Sequence, residues 1–304
     1  MQLRPPPPDY WPLTQEFWTS RGIDAATLAA ASQLASQGLV HLEPHKARDG
    51  LLVICAMTPR ELAASAAAVC TIDAPFRLDI PRVTHVGTPT CAGEAEHTMA
   101  RQTGGVGEFA RVKMVFEPMP PGSGFVFENQ ISGGAIPERF FPAIDNAVQP
   151  LNDCRQVFGF PVTDFRVRLV DGAHHDTDST DLAFDIATSF AVRKAAERSR
   201  AMLLEPVMRV EIVAPEDCVG TVIDDLNARR GVIQEHEMQV EAMAVRALVP
   251  LASLLGWGPL LDHDAFLAEQ TGGRASATVS FAGLTEIPMR TPDPPPAAAA
   301  RQAG

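Results

Sequence analysis

Two short stretches carry residue types suited to recognising RNA. Arg101-Gln-Thr-Gly-Gly-Val-Gly-Glu-Phe109 holds three glycines, Gly104, Gly105 and Gly107, whose access to positive φ lets a backbone approach another surface closely. Asp171-Gly-Ala-His-His-Asp-Thr-Asp178 offers His174, His175 and Asp176, whose ring nitrogens and carboxylate can hydrogen-bond exposed bases or 2′-hydroxyls, the groups that RNA recognition favours. On residue types alone, both stretches read first as ordinary Gly/Asp turns joining strands and a helix.

The same residues do not compose an enzyme. His174-His-Asp-Thr-Asp178 contains metal-capable types, but adjacent histidines point different ways and no distant ligand set accompanies them. Neither Ser179 nor any of the five cysteines stands beside a base and an orienting acid. The 304 residues contain no Gly-x-x-x-x-Gly-Lys-[Ser/Thr] and no Asn-Lys-x-Asp. Thr103-Gly-Gly105 and Ile131-Ser-Gly-Gly134 lack the lysine and helix context of a phosphate cradle. The expectation is therefore no catalytic residue, no metal, no cofactor and no nucleotide binding.

Composition limits the partners. The net charge of −12 opposes non-specific nucleic-acid binding, which rests on clustered Lys and Arg. Local cations remain at Arg193, Lys194, Arg198 and Arg200, where a helix C-terminus is also served by positive charge, and at Arg229, Arg230, Arg246 and Arg274. The five cysteines are widely spread without ligand spacing and read as reduced. The longest apolar runs fall short of the roughly 20 residues of a membrane span. The start has no apolar signal region, so a cytoplasmic location is the default expectation.

With 46% hydrophobic and 20% charged residues, the chain is that of a globular protein, long enough for two or three domains. The Pro-rich start and the Pro/Ala-rich tail read as flexible ends, with folded structure between roughly residues 10 and 290. Period-2 and Ala-rich helical stretches alternate from residue 24 to residue 80 as most of a βαββαβ unit, whose first strand must lie between Tyr10 and Trp18. A second block opens near Gly93, with strands at 112–117, 124–128 and 164–170 and a helix from Pro137 to Val148. Its long helix at 179–200 has Asp178 or Ser179 as the expected N-cap and an i, i+4 stripe of Leu182, Ile186 and Phe190 of the kind that faces a core. The third block repeats βαββαβ from residue 208, with an acidic insert at 258–270 read as a surface loop. The domain expectation is 1–92, 93–205, 206–290 and a disordered tail, 291–304.

Over about residues 24 to 288 the chain resembles bacterial elongation factor G and, more distantly, tetracycline ribosomal protection proteins. The resemblance is to the three C-terminal domains. Gln102-Thr-Gly-Gly105 with Gly107 is similar to the family's first tip loop, and Asp171-Gly172, His175-Asp176 and Asp178-Ser179 are similar to its second. Leu203-Leu-Glu-Pro-Val-Met208, Asp225-Leu-Asn-Ala-Arg-Arg-Gly231, Val249-Pro-Leu-Ala252 with Gly256, and Gly273-Arg274 follow in the family's order. The family's Gly-Glu-Leu-His-Leu-Glu helix start stands here as Thr58-Pro-Arg-Glu-Leu-Ala63.

The resemblance implies an α+β chain in which two ferredoxin-like βαββαβ domains flank a central domain IV-like one. It implies a GTPase-less factor whose tip, made by Gln102, Gly104, Gly105, Gly107, His174, His175 and Asp176, meets ribosomal RNA, tRNA and mRNA at the A site. Arg229, Arg230 and Arg274 would face a neighbouring domain or the RNA. The family's Gly-Gly-Arg-Gly-Gln is Gly-Gly-Val106-Gly-Glu108 here, which removes a cation and adds an anion. The rival implied by the same family is a decoy that holds an elongation factor G-directed antibiotic between its first and third domains. Tyr10, Trp11, Phe17 and Trp18 are further candidates to cover in cis a face exposed by the lack of a GTPase domain, or to recruit a protein to it in trans.

Overall fold

Among the described residues, main-chain pairing forms three sheets. The computed structural model describes residues 1–7, 10–19, 25–36, 41–44, 52–70, 76–78, 81–103, 106–152, 154–239, 242–255 and 269–287. The tail, 291–304, and most of the acidic insert lie outside them.

The first sheet is built from β1 (Leu13–Thr19), α1 (Ala25–Ser36), β2 (His41–Pro44), β3 (Leu52–Ala56), α2 (Pro59–Val69) and β4 (Phe76–Leu78), with β5 (Arg82–Val83) added on β1. Its order β2-β3-β1-β4 is the ferredoxin-like arrangement. Helix α2 begins where Thr58-Pro-Arg-Glu61 directs it. Thr58 Oγ1 accepts the Glu61 amide at 3.2 Å and Glu61 Oε2 accepts the Met57 amide at 3.0 Å, a reciprocal cap with proline in the first turn.

A short strand, β6 (Val86–Pro89), precedes the middle domain. That domain comprises β7 (Gly93–Thr103), β8 (Val106–Pro118), β9 (Phe125–Asn129), α3 (Phe141–Val148), α4 (Arg155–Phe158), β10 (Phe165–Ala173) and α5 (Asp181–Ser199). The sheet runs β7-β8-β10-β9, with β9 and β10 parallel. Phe165, Val167 and Leu169 alternate into its core, as their spacing predicts. Edge strand β7 was not expected. Its inward positions are small or only partly apolar (Gly93, Ala95, Met99) and its outward ones polar, so it has no apolar signature.

Two expectations for α5 are corrected. The N-cap is Thr180, whose hydroxyl accepts the Ala183 amide at 3.1 Å, because Asp178 and Ser179 are engaged with β8 instead. The Leu182, Ile186 and Phe190 stripe is not the core face: Leu182 is 57% and Phe190 51% exposed. The helix instead buries Ala183, Phe184, Ala187, Ala191, Val192 and Ala195. Small residues are needed there because backbone meets backbone. A Cβ on Gly93 would stand 2.0 Å from the Ala195 carbonyl oxygen.

The third sheet contains β11 (Ala201–Ala214), α6 (Val219–Ala228), β12 (Val232–Gln239), β13 (Ala242–Pro250), α7 (Leu251–Leu254) and β14 (Ser276–Glu286), in the order β12-β13-β11-β14. It repeats the first sheet's topology. Leu13, Ile54, Leu62 and Val69 of the first unit and Met208, Val222, Leu226 and Leu251 of the third belong to one apolar cluster.

β6 splices the third sheet to the middle domain. One side pairs with the start of β11, from Pro89 opposite Ala201 to Val86 opposite Leu204. The other bridges Val162 through Gly87 N to Pro161 O at 2.7 Å and Thr163 N to Gly87 O at 2.9 Å. A Cβ at Gly87 would lie 2.4 Å from the Phe160 ring.

The expectation of a flexible N-terminus is also corrected. Arg4 and Leu284 exchange both main-chain hydrogen bonds, at 2.7 and 2.9 Å. Tyr10 is buried against Val86, Leu204 and Leu284 and its hydroxyl donates to the Thr84 carbonyl at 2.5 Å. Burial away from charge-stabilising water pushes the Tyr10 phenol far up. Trp11 stacks on His41 with ring centroids 4.2 Å apart, while the side chains of Phe17 and Trp18 lie outside the described residues.

These contacts order two substitutions. Thr180→Ala removes one cap and is expected to cost about 1 kcal/mol. Gly93→Ala must push helix backbone off the sheet and is expected to cost about 2–3 kcal/mol or to prevent folding. Denaturant unfolding of both variants checks the ranking, and a Gly93→Ala protein as stable as the parent would contradict this packing.

Candidate functional site: the tip of the middle domain

The two glycine- and histidine-bearing stretches meet at one end of the middle sheet. β7 and β8 form a hairpin whose register places Arg101 opposite Glu108, Gln102 opposite Gly107 and Thr103 opposite Val106. Gly104 and Gly105 lie outside the described residues, as does the Gln102 side chain. Glu108 thus stands opposite a cation in the hairpin register.

The second loop is fastened to this hairpin by residues 70 positions apart in sequence. Ser179 Oγ donates to the Phe109 carbonyl at 2.7 Å, and the Phe109 amide donates to the Asp178 carbonyl at 2.7 Å. The same Ser179 Oγ accepts the His175 amide at 2.8 Å, closing the loop on itself. Asp178 and Ser179 were outside the expected tip set. Their signal was the Asp178-Ser179 motif, readable as a helix cap but not as a weld.

Gly107 is what lets the loop sit this close. A Cβ there would stand 2.6 Å from the Asp178 carboxyl carbon. Gly172, at the end of β10, is more tightly held: its Cβ would meet Ile136 Cδ1 at 2.3 Å and the Arg111 carbonyl oxygen at 2.7 Å. The register of β10 on β8 shifts between Leu169 and Asp171, just before this glycine. The bulge turns the strand toward the tip.

The neighbouring histidines have different roles. His174 turns inward, its Nδ1 3.1 Å from the Ala135 carbonyl oxygen and its Nε2 3.4 Å from Asp176 Oδ1. Only a donor satisfies a carbonyl, so Nδ1 carries the His174 proton. His175 is 58% exposed, and its Nδ1 lies 3.3 Å from Asp178 Oδ2 and 3.2 Å from Thr177 Oγ1. With Nδ1 held by Asp178 and Thr177, Nε2 is the ring nitrogen left to meet a hydroxyl. The Asp176 side chain is 96% exposed. The tip therefore presents His175 Nε2 and the Asp176 carboxylate to an approaching group.

The arginines expected to face RNA or a neighbouring domain are not gathered at the tip. Arg229 is a clamp within the third unit: its guanidinium takes both Asp225 oxygens, at 2.9 and 3.0 Å, and the Ser253 carbonyl at 3.1 Å. Arg230, in the left-handed region at φ 61°, pairs with the buried Glu205 of β11. Arg274 pairs with Asp217 at 2.9 Å, and Arg246 with Glu211 and Glu235 at 3.1 and 2.9 Å. At the end of α5, Arg193 pairs with Glu197 and Arg198 donates to the Glu94 carbonyl. All of these except Arg198 are paired with a carboxylate.

Two measurements probe this arrangement. Gly172→Ala is expected to destabilise by about 1–3 kcal/mol because backbone blocks the new methyl. Gly107→Ala should cost well under about 1 kcal/mol, since the Asp178 carboxylate can swing away, but should move the His175 ring resonances in NMR spectra. Equal losses for both would contradict the geometry. Separately, the hydrogen bond from Arg274 holds the Asp217 carboxyl below its ordinary 3.8. A depressed folded-state value stabilises the fold above the unfolded value and the benefit fades as pH falls through the folded one. Arg274→Ala should return Asp217 to the ordinary carboxylate range in an NMR titration and remove that acid-side increment.

Comparison with known proteins agrees with this architecture. Residues 81–200 match the family model of elongation factor G, domain IV, and residues 202–293 match that of the elongation factor G C-terminus. Elongation factor G of Anaplasma phagocytophilum (strain HZ) is 42% identical over 208 residues, covering 68% of this chain and 29% of that protein. Elongation factor G of Rhodopseudomonas palustris (strain BisB18) matches to the same extent, 42% over 208 residues. The chain spans less than a third of the length of these relatives. A crystal structure from Thermus thermophilus is similar with a TM-score of 0.67 at 30% identity, over 95% of this chain and 42% of that one. With both family models matched side by side and in order, the chain belongs to the elongation factor G family through its domain IV and C-terminal domain.

Proposed function

We propose that this protein binds the ribosome near the A site, tip first, as an accessory or protection factor in translation that neither binds nor hydrolyses GTP itself. The observation that carries this reading is the weld of Ser179 and Asp178 to Phe109, which sets the exposed His175 ring beside the hairpin end. An unconnected loop would lose more conformational entropy on meeting RNA. The groups at His175 and Asp176 suit 2′-hydroxyls and base amino groups rather than phosphates. Gln102, Gly104, Gly105 and Gly107 complete the contacting surface in this proposal. Sequestration of an antibiotic between the first and third domains gains no comparable support, since apolar residues of those units form one continuous core.

Co-sedimentation with ribosomes tests the proposal. Because the described tip residues carry few cations, binding should fall only weakly between about 50 and 200 mM salt. Combining His175→Ala with Gly105→Asp should weaken binding by about tenfold or more, the equivalent of one or two lost hydrogen bonds. Absence of sedimentation, or binding unchanged in the double variant, would sink tip-first engagement. Stabilisation by an elongation factor G inhibitor without ribosomes would favour sequestration instead.

A further inference from the structure

The N-terminal segment meets β14 of the third sheet and the turn between β8 and β9 of the middle domain, and we propose that it is a releasable brace fixing the tip-bearing middle domain against the third sheet. Its first foot stands on β14, the edge strand of the third sheet. Arg4 and Leu284 exchange two main-chain hydrogen bonds, Thr285 Oγ1 donates to the Gln2 carbonyl at 3.1 Å, and Arg4 pairs with Glu286 at 3.0 Å.

The seat is shaped for this strand. Gly283 has φ 149°, and a Cβ on it would lie 2.9 Å from the Arg4 carbonyl oxygen and 3.4 Å from Leu3 Cβ. It adjoins the irregularity where β11 and β14 change register between Val207 and Met208. A side chain at 283 would occupy the room that the segment's backbone takes up.

From that foot the segment crosses to the middle domain. Pro5 Cγ lies 3.0 Å from where a Cβ on Gly122 would stand. Gly122 belongs to the turn between β8 and β9, whose amides at Gly122 and Gly124 both donate to Asp164 Oδ1, at 2.9 and 3.1 Å. Asp164 is itself buried beside the Gly87–Val162 bridge. The second foot is Tyr10, set among Val86, Leu204 and Leu284.

The two feet differ in strength. Tyr10 is 8% exposed, whereas the Arg4–Glu286 pair lies at the surface with side chains 22% and 54% exposed. Screened pairs and a single two-bond bridge open readily, while a buried aromatic stays. Release therefore begins at residues 1–7 and leaves Tyr10 in place. It frees the β14 edge and the 119–124 turn together.

Hydrogen exchange on the isolated protein tests this and is independent of ribosome binding. Deleting residues 1–7 should speed exchange by about tenfold or more at the Leu284 amide, and also across the 119–124 turn. Arg4→Pro, which keeps the full chain but removes the N–H and the cation, should reproduce both effects, and Arg4→Lys should not. Faster exchange at 284 with an unchanged 119–124 turn would overturn the brace, because the segment would then cover only a sheet edge. Exchange unchanged at both places in Arg4→Pro would overturn it too. Should the deletion fail to fold, the Arg4→Pro and Arg4→Lys pair decides.

Discussion

The backbone pairing of β6 is the contact on which the rest of the molecule depends. Val86–Pro89 pairs with the third sheet along one edge, and along the other Gly87 bonds to Pro161 and Thr163 on either side of Val162. Main-chain hydrogen bonds in a ladder are directional and resist sliding, unlike apolar contact between domains. The middle and third domains are thus joined by sheet, with main-chain bonds from Thr90 and Cys91 to Arg200 and Ser199 reinforcing the join. Gly87 is required where Phe160 closes over the strand, so a single residue without a side chain permits the splice.

The first and third units solve the same problem differently. Both have the 2-3-1-4 antiparallel order, and their apolar residues merge into one cluster. Tip positioning therefore draws on two kinds of force. Hydrophobic packing holds the flanking units together, and hydrogen-bonded sheet ties one of them to the tip-bearing domain.

Much of the fold was legible because side-chain period reported it. Phe165, Val167 and Leu169 alternate strictly, and Thr58-Pro-Arg-Glu61 spells a helix start. β7 was not legible, because an edge strand packed beneath an alanine-faced helix needs small residues rather than large apolar ones. The same cause misdirected the reading of α5: Leu182, Ile186 and Phe190 have helical spacing, but close approach to Gly93 selects the alanine side for burial. Proline hid the N-terminal bridge, since Arg4 is a single paired residue directly before a run of prolines. At the tip, residue types were readable from sequence but their joining was not. Ser179 meets Phe109 across 70 positions, and the separate fates of His174 and His175 follow from Ala135 and Asp178, which no local pattern announces.

Helix α5 begins at the weld that holds the tip loop and ends at the carbonyls that anchor Thr90 and Cys91. Its 19 residues, at 1.5 Å each, make a rod about 28 Å long. A helix seated this closely on its sheet has little slack to absorb a push along its axis. One helix therefore fixes the spacing between the exposed His175 loop and the join beside β6.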